Sequence, residues 1–266
     1  MKLSLSEIST VNASFADDVA AYADAGFDGI GIWEAKLPED DAANIALLRD
    51  AGLGVANCVP AVPSVLPLRI PGMEGPPKPR ERVDALCASV HRLAAYEPEC
   101  VLVLTGPAID SSSRDVVIAG LHEIATAAAA AGVRLGLEPA HASQHESVSF
   151  INWIADALAL LEEAGLDGVG LMADTYNLWS EPPETLAAIA DRVTGLHVAD
   201  VPPEPDRTDR VLPGEGGIRS AEHVAALRAA GWDGYLDVEI FSTPNGFWAL
   251  PVEEAARRAY AAASRL

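Results

Sequence analysis

Five times along this chain an alanine-rich stretch closes on an Ala-Gly step, and an apolar run begins within a few residues. The steps stand at Ala25-Gly26, Ala51-Gly52, Ala131-Gly132, Ala164-Gly165 and Ala230-Gly231. A glycine just past the last helical residue takes the left-handed conformation that ends a helix, and a short unbroken apolar run is what a strand buried on both faces looks like. Each copy therefore reads as a helix-to-strand turn, and a chain built on this unit is an alternating α/β protein.

Filling the gaps predicts strands near 3–8, 28–33, 53–58, 100–105, 133–138, 168–173, 193–198 and 234–239. Helical patterns fall between them at 15–24, 40–50, 80–96, 113–131, 150–164, 183–191, 221–229 and 252–266. Eight strands each followed by a helix, with no composition shift or low-complexity linker, predict a single (β/α)8 TIM barrel domain over 1–266. With 266 residues, of which 50% are hydrophobic, the chain can bury such a core, and disorder is excluded. A doubly wound open sheet would need a glycine-rich phosphate loop after an early strand, and the sequence has none.

The formal net charge is −21. A balance this acidic repels phosphate backbones and anionic lipid, so neither nucleic acid nor membrane is an expected partner. Serines and Glu7 break up the first apolar residues, and no apolar run approaches a membrane span, so a cytoplasmic location is expected. Cys58, Cys87 and Cys100 are odd in number and widely spaced, which fits free thiols better than disulfides or a metal clip.

In a barrel, polar side chains at the C-terminal ends of otherwise apolar strands face the active site. Four stand there in the second half of the chain: Glu138, Asp174, His197 and Glu239. Singly, Asp174 reads equally well as a helix cap and His197 as a satisfied core imidazole. Together they are ionisable groups converging on one rim, and they would be costly to bury unless a cation neutralised them. Three oxygen ligands and one nitrogen suit Mn2+, Mg2+, Co2+ or Zn2+ with coordination positions left open. Two long loops, 60–79 and 200–218, also follow strands and would border that rim as lids or substrate walls.

These residues carry a resemblance. Glu138-Pro139, Asp174-Thr175, His197 with Asp200, Pro213-Gly214-Glu215-Gly216 and Val238-Glu239, in that order, resemble the sugar phosphate isomerase/epimerase superfamily, the xylose-isomerase-like barrels. Its members include ketose 3-epimerases, hydroxypyruvate isomerases, inosose isomerases and dehydratases, 3-dehydroshikimate dehydratases and, more distantly, endonuclease IV. The resemblance covers nearly the whole chain, with its specific motifs between 136 and 241. It implies that Glu138, Asp174, His197 and Glu239 hold one divalent ion, Mn2+ foremost, and that Arg210 reaches substrate oxygens, with Arg207 a competing candidate. Many relatives carry a histidine where this chain has Asn177, which hydrogen-bonds but does not titrate. Asn57 and Thr105 stand where a multi-zinc nuclease needs histidines, which argues against endonuclease chemistry.

Around this set, His141 and His145, with Glu146 beside them, follow Glu138 closely, and His141 is a candidate for substrate contact. Trp33, Glu34 and Trp179 stand at or beyond strand ends, where Trp33 could wall a sugar's apolar face or simply pack the rim. His91, His122 and His223 lie in helical patterns and read as outer-shell residues.

The chemistry expected of the ligand set is proton abstraction next to a carbonyl, with a divalent ion stabilising the enediolate and Glu138 and Glu239 as the acid/base pair. The substrate is expected to be a small sugar, keto-acid or cyclitol, unphosphorylated because no phosphate-cradling loop is present. The product is an isomer or epimer. A lyase that expels a β-leaving group from the same intermediate is the alternative, and a non-catalytic binding barrel is a third reading. The sequence leaves homo-oligomerisation open.

Overall fold

The computed structural model describes all residues except 74, 203–208 and 219, so Arg207 and Arg219 lie outside the described residues. Eight strands alternate with eight principal helices: β1 (Lys2–Ser6), α1 (Phe15–Ala25), β2 (Gly29–Trp33), α2 (Asp41–Ala51), β3 (Gly54–Val59), α3 (Pro79–Leu93), β4 (Val101–Val103) and α4 (Ser113–Ala131). The second half continues with β5 (Leu135–Leu137), α5 (Ile154–Glu163), β6 (Gly170–Asp174), α6 (Pro183–Ala187), β7 (Val193–Val198), α7 (Ser220–Ala229), β8 (Tyr235–Val238) and α8 (Val252–Ala263). All neighbours are parallel in sequence order, and β8 closes on β1, pairing Leu3 with Leu236 and Leu5 with Val238. The chain is a (β/α)8 barrel.

The Ala-Gly steps do what their chemistry dictates. Gly26, Gly52 and Gly132 end α1, α2 and α4 in the left-handed region, where a side chain would be strained. The strand-forming runs that follow are buried on both faces, against helix residues such as Leu86, Leu121, Ile124 and Leu160 outside and against one another inside. Inside the barrel, glycines on one strand make room for a large side chain from another. Tyr235 occupies the space beside Gly29 and Gly54, Met172 and Cys100 that beside Gly195, and the Asp237 carboxylate that beside Gly31. Any Cβ at these glycines would meet those side chains.

Several boundaries differ from the sequence expectation for local reasons. The first strand stops at Ser6, whose hydroxyl accepts from the Ile8 N–H and starts a 3-10 turn over Glu7–Thr10. The fifth helix begins at Ile154 rather than 150, because the Ser149 hydroxyl accepts from the Ile151 N–H in a local turn and Asn152 Nδ2 donates to the Ala140 carbonyl, holding this segment on the loop after β5. The sixth helix ends at Ala187, with a separate 3-10 turn at Ala190–Arg192. The three cysteines are free. Among the described residues no helix is long and apolar enough to cross a membrane.

The described parts of both long loops lie at the C-terminal rim and are anchored. The proline-rich loop prolongs the β3–β4 pairing: Leu104 N–H donates to Pro63 O, Val65 to Leu104 O, and Leu66 to Thr105 O. Arg82 of α3, fully buried, holds the same loop through Ser64 O, Ser64 Oγ and Pro76 O. After β7, Asp200 pairs with Val211, and its carboxylate accepts from Gly214, Gly216 and Ser220. That turn delivers Arg210 back over the barrel mouth.

Candidate active site

Parallel register places the sequence-selected residues at one level. Asp174, the last residue of β6, lies beside His197 of β7, and His197 lies beside Asp237 of β8. Glu138 and Glu239 each follow directly on their strands. Glu138, Asp174 and His197 offer ligand atoms that all lie within 4.8 Å of one another, and all three are buried. Glu239 joins them, with its Oε2 3.4 Å from His197 Nδ1.

Two donors lie among these carboxylates. Arg210 Nη1 donates to Asp174 Oδ2 at 2.8 Å and to Glu239 Oε2 at 2.7 Å. Its guanidinium is held between the rings of Tyr176 and Phe241, 4.5 and 4.9 Å from their centroids, which suits a planar, weakly hydrated cation. Asn177 Nδ2 donates to Glu138 Oε1 at 2.9 Å and Asp174 Oδ2 at 3.2 Å, while its Oδ1 accepts from the His141 backbone.

His197 is oriented from behind. Its Nε2 faces Asn57 Oδ1 at 3.3 Å and Asp237 Oδ2 at 3.5 Å, both acceptors, and Asn57 Nδ2 in turn donates to Asp237 Oδ2 at 2.7 Å. Nε2 therefore carries the proton, and in the neutral ring Nδ1 presents its lone pair to the carboxylates. That Nδ1 is buried and has no hydrogen-bond partner. An orphaned imidazole nitrogen beside three carboxylates is a donor set that fits a divalent cation, with the hydrogen-bonded Nε2–H the usual support of a metal-binding histidine.

Electrostatics follow from crowding. Burial, reinforced by Asp174, pushes the Glu138 carboxyl up to about 8 against the pull of His197. Burial also raises Glu239, opposed by His197 and Arg210. For His197, burial disfavours the charged ring, but Glu239, Asp237 and Glu138 together outweigh it and hold the imidazole up at about 10.

Beside this cluster is a cavity of about 320 Å3, lined at one end by Glu138, Asn177, Arg210 and Glu239. Trp33 and His141 are not among its lining residues. Trp33 packs on the apolar cluster of the barrel mouth, and its backbone N–H donates to Glu7. The His141 ring stacks on Trp179 and faces Ser143 and Ser180. Glu34 caps the Ala61 N–H, Glu146 pairs with Arg69 on the surface, and His223 faces the Glu181 carbonyl. A second buried charged group, Glu7, Asp18 and Lys36, sits behind β1 and β2 outside the cavity lining.

Sequence reasoning missed Asp237 as a partner of His197, used Asn57 only against a nuclease, and overlooked Tyr176 and Phe241. For Asp237 a signal exists, since residues 235, 237 and 239 share one face of a strand and two of the three are acidic.

Comparison with known proteins follows this geometry. The model of the family described as xylose isomerase-like TIM barrel matches residues 19–264. A 3-dehydroshikimate dehydratase of Pseudomonas aeruginosa is 27% identical over 94% of this chain, which spans 39% of that protein. An L-ribulose 3-epimerase of Mesorhizobium japonicum is 32% identical over 53% of this chain and 45% of its own length. Among solved structures, the IOLI protein with a binding zinc atom has the same fold, at a TM-score of 0.80 and 20% identity, covering 100% of this chain and 97% of its own. The chain thus spans less than half the length of these two curated relatives.

Proposed function

Because this chain belongs to the xylose isomerase-like TIM barrel family, we propose that its rim site is a divalent-metal-dependent isomerase or epimerase of a small sugar, keto-acid or cyclitol. The observation that carries the reading is the buried convergence of Glu138, Asp174 and His197 within 4.8 Å, with Glu239 alongside. These four would hold the ion, with Mn2+ favoured by a ligand set of three oxygens and one nitrogen. When bound, such an ion supplies Lewis acidity, stabilising negative charge on a carbonyl and its neighbouring hydroxyl as a proton leaves the carbon between them.

The chain's own residues do the rest. Among the described residues Asn177 occupies Glu138 Oε1 and Arg210 occupies Glu239 Oε2, so Glu138 Oε2 and Glu239 Oε1 are the oxygens left for proton transfer. Without an ion, burial and Asp174 hold the Glu138 carboxyl up at about 8; with the site loaded that proton is expelled, leaving a carboxylate able to accept one from the substrate carbon. Arg210 and Asn177 line the cavity and orient substrate oxygens, Arg210 by charge and Asn177 through its amide. Return of the proton to the opposite face of the same carbon gives an epimer, and return to the neighbouring carbon gives an aldose–ketose isomer.

A lyase outcome is the second reading, favoured by Asn177, which supplies no titratable group beside Glu138, and by the match to a dehydratase over 94% of this chain. The test is proton exchange from D2O into an α-hydroxyketone such as L-ribulose, with the Mn2+-loaded protein and its Glu239→Gln variant. Exchange in the native protein, suppressed at least 100-fold in a folded variant, supports the assignment, and undiminished exchange refutes the role of Glu239. A product lighter by one water directs the reading to the lyase.

A further inference from the structure

The cavity beside the carboxylates has two unlike halves. Its lining includes the polar group Glu138, Asn177, Arg210 and Glu239, and an apolar wall of Leu68, Ile70, Met73, Leu104, Val148 and Phe241, the last packed also on the Arg210 guanidinium. These six side chains are part of one apolar cluster that continues into the barrel through Leu102 and Met172. The wall is thus backed by packed hydrocarbon. Several backbone N–H groups along it are engaged elsewhere: Arg69 N–H donates to Ser147 O, Met73 to Ile70 O, Val148 to Gln144 O, and Leu104 to Pro63 O. Among the described residues, the other polar side chains of the lining are Arg69, Ser143, Gln144 and Ser147, with Tyr176 beside Arg210. Arg69 is half exposed and engaged with Glu146.

A polyhydroxylated chain laid along such a wall would leave hydroxyls without partners. Each unmade bond costs about tenfold or more in affinity. An apolar substituent gains there instead, by about fourfold per buried methylene. We infer that the substrate is amphipathic, with an α-hydroxycarbonyl head at the Glu138–Glu239 end and an apolar alkyl or aryl body against the wall of Leu68, Ile70 and Val148. A volume of about 320 Å3 admits such a head with one ring or a short chain. This rests on the proton-transfer reading above for the head and on the wall alone for the body.

The experiment uses the full chain loaded with Mn2+ and two probes that share a head, 1-hydroxy-4-phenylbutan-2-one and L-ribulose. Calorimetry gives affinity, and NMR in D2O gives exchange of the proton next to the carbonyl. The phenyl probe is expected to bind at least tenfold more tightly than L-ribulose. Val148→Thr and Met73→Gln, two partly exposed positions where the change preserves size, are each expected to shrink that ratio severalfold. Equal or tighter binding of L-ribulose overturns the inference, as does a ratio that neither variant moves. Absence of exchange with either probe counts against the proton-transfer reading, and the affinity ratio then still decides the wall.

Discussion

On the proposed reading a divalent ion would take oxygens that Arg210 now holds, and replacing the arginine tests that competition. Its Nη1 lies 2.8 Å from Asp174 and 2.7 Å from Glu239 in a site where all three side chains are nearly or wholly buried. Removing one partner of a buried ion pair costs about 3–5 kcal/mol, because the remaining charge stays desolvated. Arg210→Met keeps a chain that packs between Tyr176 and Phe241 while deleting the charge. In EDTA the variant should therefore melt about 6–20 °C lower, taking about 2–4 °C per kcal/mol for a chain of this size. Saturating Mn2+ restores a positive charge among the carboxylates. The melting temperature should then rise more in the variant than in the native protein, where the ion must displace a cation already in place. Thermal unfolding followed by circular dichroism, with and without Mn2+, reads both shifts. Equal gains from Mn2+ in the two proteins would refute the reasoning, since arginine and ion would then occupy separate places.

Three further outcomes follow from the same geometry. Asp237→Asn keeps an acceptor for Asn57 and His197 but removes the carboxylate behind the imidazole, so Mn2+ affinity should fall by about 10–100-fold with the near-ultraviolet spectrum unchanged; unaltered affinity in a chelator competition would separate Asp237 from the metal site. Ion affinity should rise with pH from 6 to 9, because Glu138 at about 8 and His197 at about 10 hold protons in the metal-free protein that a cation must expel. The expected slope is about tenfold per pH unit or steeper, and a flat profile contradicts it. Arg82→Met should free the proline-rich loop from Ser64 and Pro76, read as new protease cleavage between residues 60 and 78 in an otherwise resistant chain; a cleavage pattern identical to the native one would show that the loop holds itself.

The architecture was legible because its punctuation is chemical. An Ala-Gly step that closes an alanine-rich stretch before an apolar run ends a helix, and five of them point to a repeating βα unit; Ala119-Gly120, which lacks that setting, lies inside α4. Glu138, Asp174, His197 and Glu239 were legible for a related reason, as charges that interrupt apolar runs where strands end. Arg210 was visible as a residue, but its seat between Asp174 and Glu239 was not, since a loop side chain takes its direction from tertiary contacts such as Asp200 with Gly214 and Gly216. The apolar wall was hidden for the same reason. Leu68, Ile70 and Met73 fall in a proline-rich stretch without strand or helix periodicity, and only the extended pairing of residues 63–66 with 104–105 turns them toward the site. Strand ends slipped by at most two residues, as at the end of β1, where the Ser6 hydroxyl caps the backbone.

The glycine at position 31 has a bearing on how this sequence can drift. The Asp237 carboxylate fills the space a β-carbon would need there, and that carboxylate steadies His197 from behind. Position 31 is consequently tied to the size of the side chain at 237. A descendant that gains even a methyl group at 31 must shorten or turn away the side chain at 237, and with it gives up the anchor of its histidine. Among chains of this lineage, a substitution at 31 should thus be accompanied by one at 237, whereas 237 can change alone.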